Sequence, residues 1–277
     1  MKRFDMKWLL AVLFVFICGI VAAAERDTVK ILAIGNSFSE DAAEEYLDDL
    51  ARAADIPVVI GNAYIGGCSL ERHYNNVMEQ SASYSYRKIS ADGEKATVPD
   101  RTLLQCLLDE DWDYVTLQQA SPLSGKADSY FPYLGSLAGY VRSRATNPQM
   151  KLAFHQTWAY AADFRHDNFA GYDYDQERMY RAIVAAVNDA VSQAGIAIVI
   201  PAGAAIQKAR TVTQKDNFCR DGYHLSHGIG RYTAACAWFE TLLGKPVTEN
   251  TFRPESVTEE EAVIVRESAR SAVKEYN

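Results

Sequence analysis

The run Val29-Lys30-Ile31-Leu32-Ala33-Ile34, followed at once by Gly35-Asn36-Ser37-Phe38-Ser39, decides how the rest of this 277-residue chain is read. A short segment that is apolar on both alternating faces suits a strand buried from both sides, as in a parallel sheet covered by helices. Four more runs of this kind follow, at 57–65, 114–117, 151–154 and 196–200. Helical stretches separate them, at 40–54, 102–108, 134–143 and 176–194. The last is clearly amphipathic, with Met179, Ile183, Val187 and Val191 near helical spacing and Arg178, Arg181, Asn188 and Asp189 elsewhere. The alternation predicts a doubly wound α/β fold, a three-layer α/β/α sandwich around a five-stranded parallel sheet.

Working outward, two insertions depart from plain alternation. Between the second and third strands, 84–89 and 95–98 flank Ala91-Asp92-Gly93-Glu94, and Asp-Gly between such runs predicts a β-hairpin. After the fourth strand comes a long loop rich in Trp158, Tyr160, Phe164, Tyr172 and Tyr174. Long loops on a rigid sheet usually serve binding. Two helices, 228–243 and 259–276, close the chain, and no repeat or low-complexity tract interrupts it.

The chain opens with Lys2, Arg3 and Lys7, runs through an apolar stretch at 8–21, and reaches Ala22-Ala23-Ala24 before Glu25-Arg26-Asp27. This reads as a secretory signal peptide, residues 1–24, cleaved after Ala24, which leaves 25–277 as one domain with no membrane span. Cys18 is apolar filler, because Ile17 is branched where a lipoprotein signal requires a small residue. The full chain carries a net charge of -8. Removing the leader, a net +2 from Lys2, Arg3, Lys7 and Asp5, leaves -10. An acidic surface without a basic run argues against nucleic acid or anionic membrane as partner and leaves small or neutral polymeric substrates. Cys68, Cys106, Cys219 and Cys236 are too few for a disulfide scaffold and contain no CxxC pair.

Ser37 lies in the turn after the first strand, at the carboxyl edge where doubly wound sheets bind ligands. There a serine exposes its hydroxyl while its backbone N–H faces developing negative charge; alternatively Ser37 or Ser39 simply caps the following helix. A nucleophilic serine needs a base, and Asp221-Gly222-Tyr223-His224 offers one. Three residues apart on one loop, the carboxylate reaches one ring nitrogen and leaves the other free to take the serine proton. Asp221, His224 and His227 are also three possible metal ligands, although no further carboxylate or histidine cluster completes a site. No GxSxG occurs, so the nucleophile elbow of α/β-hydrolases is not supported.

The order of these pieces, Gly-Asn-Ser after the first strand and Asp-x-x-His before the closing helix, resembles the SGNH (GDSL-like) hydrolase superfamily, over 34–243. Gly35-Asn36-Ser37-Phe38-Ser39, Gly66-Gly67-Cys68-Ser69-Leu70 and Asp221-Gly222-Tyr223-His224-Leu225-Ser226 look more narrowly like an uncharacterised subgroup found in polysaccharide-degrading bacteria. The resemblance implies a flavodoxin-like SGNH fold and a serine esterase acting on acyl esters; the leader makes it an exported one, and the aromatic, polar loops point to acetyl esters of carbohydrates. The resemblance assigns Ser37, Asp221 and His224 to catalysis and requires no metal or cofactor. It also implies an oxyanion hole from the N–H groups of Ser37 and Gly67, with Gly66 as alternative. The family's asparagine after the third strand is absent; Leu117-Gln118-Gln119-Ala120-Ser121 stands there, so a glutamine amide is the expected donor, Gln119 or alternatively Gln118. Tyr64, His73, Tyr74, Tyr130, His155, Trp158 and Tyr160 are expected near the substrate, as contacts or as packing. Cys68 follows the oxyanion glycine and Cys219 precedes the Asp/His loop, so a disulfide between them is expected if both loops converge on Ser37. Two rival readings remain: a glycan-binding protein that has lost turnover, and a metal-dependent hydrolase using Asp221, His224 and His227.

Overall fold

In a computed structural model that describes residues 28–276, the elements follow in the order β1 (Val29–Gly35), α1 (Ser37–Ala43), α2 (Leu47–Ala53), β2 (Val58–Tyr64), α3 (Leu70–Met78), β3 (Tyr84–Ile89), β4 (Lys95–Arg101), α4 (Leu103–Leu107) and β5 (Tyr114–Leu117). They continue with α5 (Tyr133–Arg144), β6 (Lys151–His155), α6 (Asp167–Ala170), α7 (Gln176–Ala194), β7 (Ile198–Ile200), α8 (Ala202–Thr213), α9 (Ile229–Leu243) and α10 (Glu259–Tyr276). The expected leader, 1–24, lies outside the described residues. Among the described residues no helix is long and apolar enough to cross a membrane.

The strands order as β4-β3-β2-β1-β5-β6-β7. From β2 to β7 all pairings are parallel, with Val29 opposite Val58 and Ile31 opposite Tyr114 in the centre. The sheet has seven strands rather than five. The hairpin does not stand apart but joins β2 antiparallel, Ile60 opposite Ile89, and extends the sheet. Tyr84, Tyr86 and Ile89 turn inward while β4 stays exposed, the pattern of an edge strand packed on one face.

Strands of near-continuous apolar residues need cover on both faces. One group of helices, α1, α2, α8 and α10, gathers around α9; another, α3, α4 and α7, gathers around α5. The expected helix at 40–54 is two helices, because the chain breaks at Glu44 and swings Tyr46 so that its hydroxyl donates to the His227 carbonyl. Helix α8 lacks the usual stripe of large apolar residues. Its small residues permit close approach instead: a Cβ on Gly203 would lie 2.0 Å from the Thr157 carbonyl oxygen. The order β2-β1-β5 places the topological switch point between β1 and β5, so Ser37 and the two glutamines leave the sheet beside the same crevice.

Candidate active site

Asn36 follows β1 and caps α1, its Oδ1 accepting from the Phe38 N–H at 2.9 Å, which leaves Ser37 as the first residue of the helix. His224 Nε2 stands 3.0 Å from Ser37 Oγ, and His224 Nδ1 stands 2.7 Å from Asp221 Oδ2. The other Asp221 oxygen accepts from the N–H groups of Tyr223 (3.2 Å) and His224 (2.8 Å). Burial pushes the Asp221 carboxyl up, but hydrogen bonds from the His224 ring and from the two N–H groups outweigh it and hold the group below its ordinary value. The turn closes through Gly222, at φ +94°, where an added Cβ would meet the Phe164 ring at 2.0 Å. The loop's flanks pair as in a small hairpin, Ser226 N–H to the Phe218 carbonyl and Arg220 N–H to the His224 carbonyl.

These groups open into a cleft of about 650 Å³. Its floor holds Gly67, at φ +61° with open space where a Cβ would stand. Among the described residues the N–H groups of Ser37 and Gly67 have no intramolecular acceptor. Asn36 Nδ2 donates to the Cys68 carbonyl at 2.9 Å and so ties the Gly67 loop to the serine turn.

The two glutamines do not line this cleft, and their amides are engaged elsewhere. Gln119 Nε2 donates to the Ser129 carbonyl (3.0 Å) and Ser129 Oγ (3.2 Å), and its Oε1 accepts from the N–H groups of Leu70 and Ala120. Its amide nitrogen is engaged by Ser129, away from the cleft, which corrects the expectation that Gln119 serves the oxyanion. Gln118 is the second member of a buried chain. Because Asn36 Oδ1 must accept from Phe38, Gln118 must present its Nε2 to it (2.8 Å); its Oε1 then accepts from His155 Nδ1 (2.9 Å). Burial lowers His155 to about 3, so its ring is neutral and Nδ1 carries the proton. Gln118 thus fixes Asn36 rather than reaching the cleft.

Of the expected substrate contacts, Tyr64 and Tyr160 line the cleft. Trp158 does not: it is fully buried, stacked on Phe38 at 4.1 Å, with its Nε1 donating to the Tyr223 carbonyl. It packs behind the Ser37 turn and the Asp221–His224 loop. His73 is buried against Tyr84, with Nδ1 3.0 Å from the phenol, His155 belongs to the chain above, Tyr130 is buried on the Ser124 carbonyl, and Tyr74 packs on Tyr133. Phe164, from the long aromatic loop expected to serve binding, also lines the cleft, together with Ser121, Leu123, His166, Asn168 and Tyr223, which the sequence does not single out for this role. Ser121 Oγ and the Tyr160 hydroxyl stand 3.0 Å apart and share one hydrogen bond, which leaves one hydroxyl hydrogen for a ligand. Burial pushes Tyr160 up to about 12, so it stays protonated near neutrality.

The expected Cys68–Cys219 bond is absent; both are free thiols. Cys219 Sγ instead accepts from Arg210 Nη2 at 3.4 Å. Among the described residues no three His, Cys, Asp or Glu side chains gather as a metal set, so His227 does not complete one with Asp221 and His224.

The sequence model of a family described as a domain of unknown function, DUF4886, matches residues 30–272. The chain belongs to the DUF4886 family. The crystal structure of a DUF4886 family protein from Bacteroides uniformis is similar at 49% identity and a TM-score of 0.88, covering 90% of this chain and 95% of that one. A candidate SGNH hydrolase from Slackia heliotrinireducens matches at 20% identity and a TM-score of 0.51, over 78% of this chain and 99% of that one. At that identity the likeness is one of fold: this DUF4886 chain has an SGNH-like α/β architecture. Among curated proteins none matches it.

Proposed function

We propose that this DUF4886 protein is an exported serine esterase that hydrolyses acyl esters of carbohydrates. The observation that carries the reading is the unbroken chain Asp221–His224–Ser37, with bonds of 2.7 and 3.0 Å, opening into the cleft. Ser37 Oγ attacks the ester carbonyl while His224 Nε2 takes its proton, and Asp221 holds the imidazole in the required tautomer. The developing oxyanion meets the Ser37 and Gly67 N–H groups, with the spare hydroxyl hydrogen of the Ser121–Tyr160 pair in place of an amide. His224 then protonates the leaving alkoxide. Water, deprotonated by the same ring, releases the acid from the acyl-enzyme.

The carbohydrate assignment rests on the cleft walls. The Phe164 and Tyr223 rings give flat apolar faces for sugar C–H groups, and Tyr64, His166 and Asn168 supply polar partners for hydroxyls. His166 Nδ1 accepts from the Asn168 N–H at 3.1 Å, so Nε2 is the ring atom left for a ligand. Export follows from the leader-like 1–24 segment.

Fluorophosphonate labelling with peptide mapping tests the chemistry, and a panel of acetylated oligosaccharides beside a small aryl acetate tests the substrate class. The label is expected on Ser37, and Phe164→Ala is expected to lower kcat/KM on the oligosaccharide more than on the aryl ester. Oligosaccharide binding with neither label nor turnover would favour the non-catalytic reading. A preference for long-chain acyl esters would remove the sugar assignment.

A further inference from the structure

We infer that Asp41 is a positioning carboxylate, which locks the loop bearing Asp221 and His224 onto the helix bearing Ser37. Asp41 lies on α1 one turn beyond Ser37, and its side chain is wholly buried. Oδ2 accepts from the Leu225 N–H at 2.7 Å. Oδ1 accepts from Arg220 Nη1 at 3.0 Å and Arg231 Nε at 2.9 Å, with Arg231 Nη2 at 2.8 Å. Arg220 immediately precedes Asp221, and Leu225 immediately follows His224. One carboxylate therefore grips both ends of the acid–base tetrapeptide. Arg220 closes the ring by also donating to the Leu225 carbonyl. Arg231, on α9, holds the cluster from below and reaches Glu45 at 3.1 Å, so two cations balance two anions.

Stability alone is a poor reason for such a cluster. Ions withdrawn from water lose hydration that their mutual attraction barely offsets, and apolar groups of equal volume often serve a core as well. What the charges add is registry. The Ser37–His224 contact joins residues far apart in sequence, and catalytic geometry must be held to within about 0.5 Å. A bidentate carboxylate on the serine's own helix sets that spacing directly, whereas packing alone lets a surface loop slide.

The catalytic consequence rests on the serine esterase reading; the clamp itself does not. The experiment therefore has two arms, applied to Asp41→Asn, Arg220→Gln and Arg220→Lys in the full protein. In the kinetic arm, Asp41→Asn should lower kcat on an aryl acetate about 100-fold and Arg220→Gln about tenfold, with KM little changed because the cleft walls are untouched. Arg220→Lys should recover most of the Arg220→Gln loss. In the second arm, hydrogen exchange should accelerate across 219–226 in Asp41→Asn and stay at parent rates in the central strands. If Asp41→Asn does not fold, Arg220→Gln carries both arms, since the Arg220 side chain is about one-third exposed and its loss leaves Asp41 paired with Arg231. Parental kcat in the folded variants, a loss confined to KM, or unchanged exchange in the loop would overturn the inference. A parent protein that neither turns over esters nor labels would sink the esterase reading instead, and the exchange arm would still decide the clamp.

Discussion

The Asp221–His224 loop at 218–226 and the strand end at 117–121 both carry polar side chains expected to serve Ser37, yet they are built on opposite principles. In the loop the partners are neighbours: Asp221 bonds the N–H groups two and three residues on and the ring of His224. Gly222 supplies the left-handed residue the turn requires. At the strand end, Gln118 bonds Asn36, 82 residues away, and Gln119 bonds the Leu70 N–H, 49 away. An amide donates and accepts alike, so its residue type does not choose between them. Spacing fixes a role when the partner is local; when the partner comes from another segment, packing does.

Four experiments put that contrast to the test. The largest effect belongs to Ser37→Ala, expected to lower ester hydrolysis by about four orders of magnitude or more. Parental activity in that variant would strip the locally legible groups of their chemistry.

Acid comes next and probes the buried set. Burial lowers both His73 and His155 to about 3, whereas the unfolded chain protonates them near 6.5. Below 6.5 the unfolded state therefore binds more protons, and stability falls with pH at about 1.4 kcal/mol per unit for each ring until the folded value is reached. Asp221, depressed in the fold, adds a loss in the same direction only below its unfolded value near 4. Urea unfolding at pH 7, 5.5 and 4.5 measures the slope. A flat profile across that range would mean that neither histidine is buried neutral.

Gly222→Ala follows. With φ at +94° and the Phe164 ring in the way, the turn must reopen, and kcat/KM should drop about 100-fold with most of the fold retained. An unaffected enzyme would show that the turn, though local, does not set the site. The smallest effect is expected from Gln119→Ala. It should cost about 1–3 kcal/mol in chemical unfolding by leaving the Leu70 N–H and the Ser129 carbonyl without their partner, while kcat changes little. A selective loss of kcat at parental stability would return Gln119 to the oxyanion.

Most of the fold was legible because its elements announce themselves locally. Strand β5 and helix α7 fall where the apolar pattern puts them, β5 as a run buried on both faces and α7 as a regular stripe, and α10 falls at the expected 259–276. Helices α3 and α8 escaped for opposite reasons: α3 interrupts its buried face with His73, and α8 packs through Ala and Gly. The hairpin was visible but not its pairing to β2, which depends on a neighbour 29 residues away at Ile60 and Ile89. The Ser37, Asp221 and His224 positions were readable from order along the chain. The sequence leaves Trp158 open between contact and packing because a large aromatic in a long loop is equally suited to a cleft or to the space behind it, and only the stack on Phe38 distinguishes the two.

The unbonded cysteines bear on how the chain matures. The thiolate, not the thiol, undergoes exchange and oxidation. Burial pushes Cys68, Cys106 and Cys219 up to about 12, and Cys236 higher still, so in the folded chain all four stay protonated near neutrality and exchange slowly. The folded chain contains no disulfide among these four, so folding has no oxidative step to wait for. The same native chain should emerge from a reducing cytosol as from an oxidising periplasm, and its activity should be indifferent to dithiothreitol.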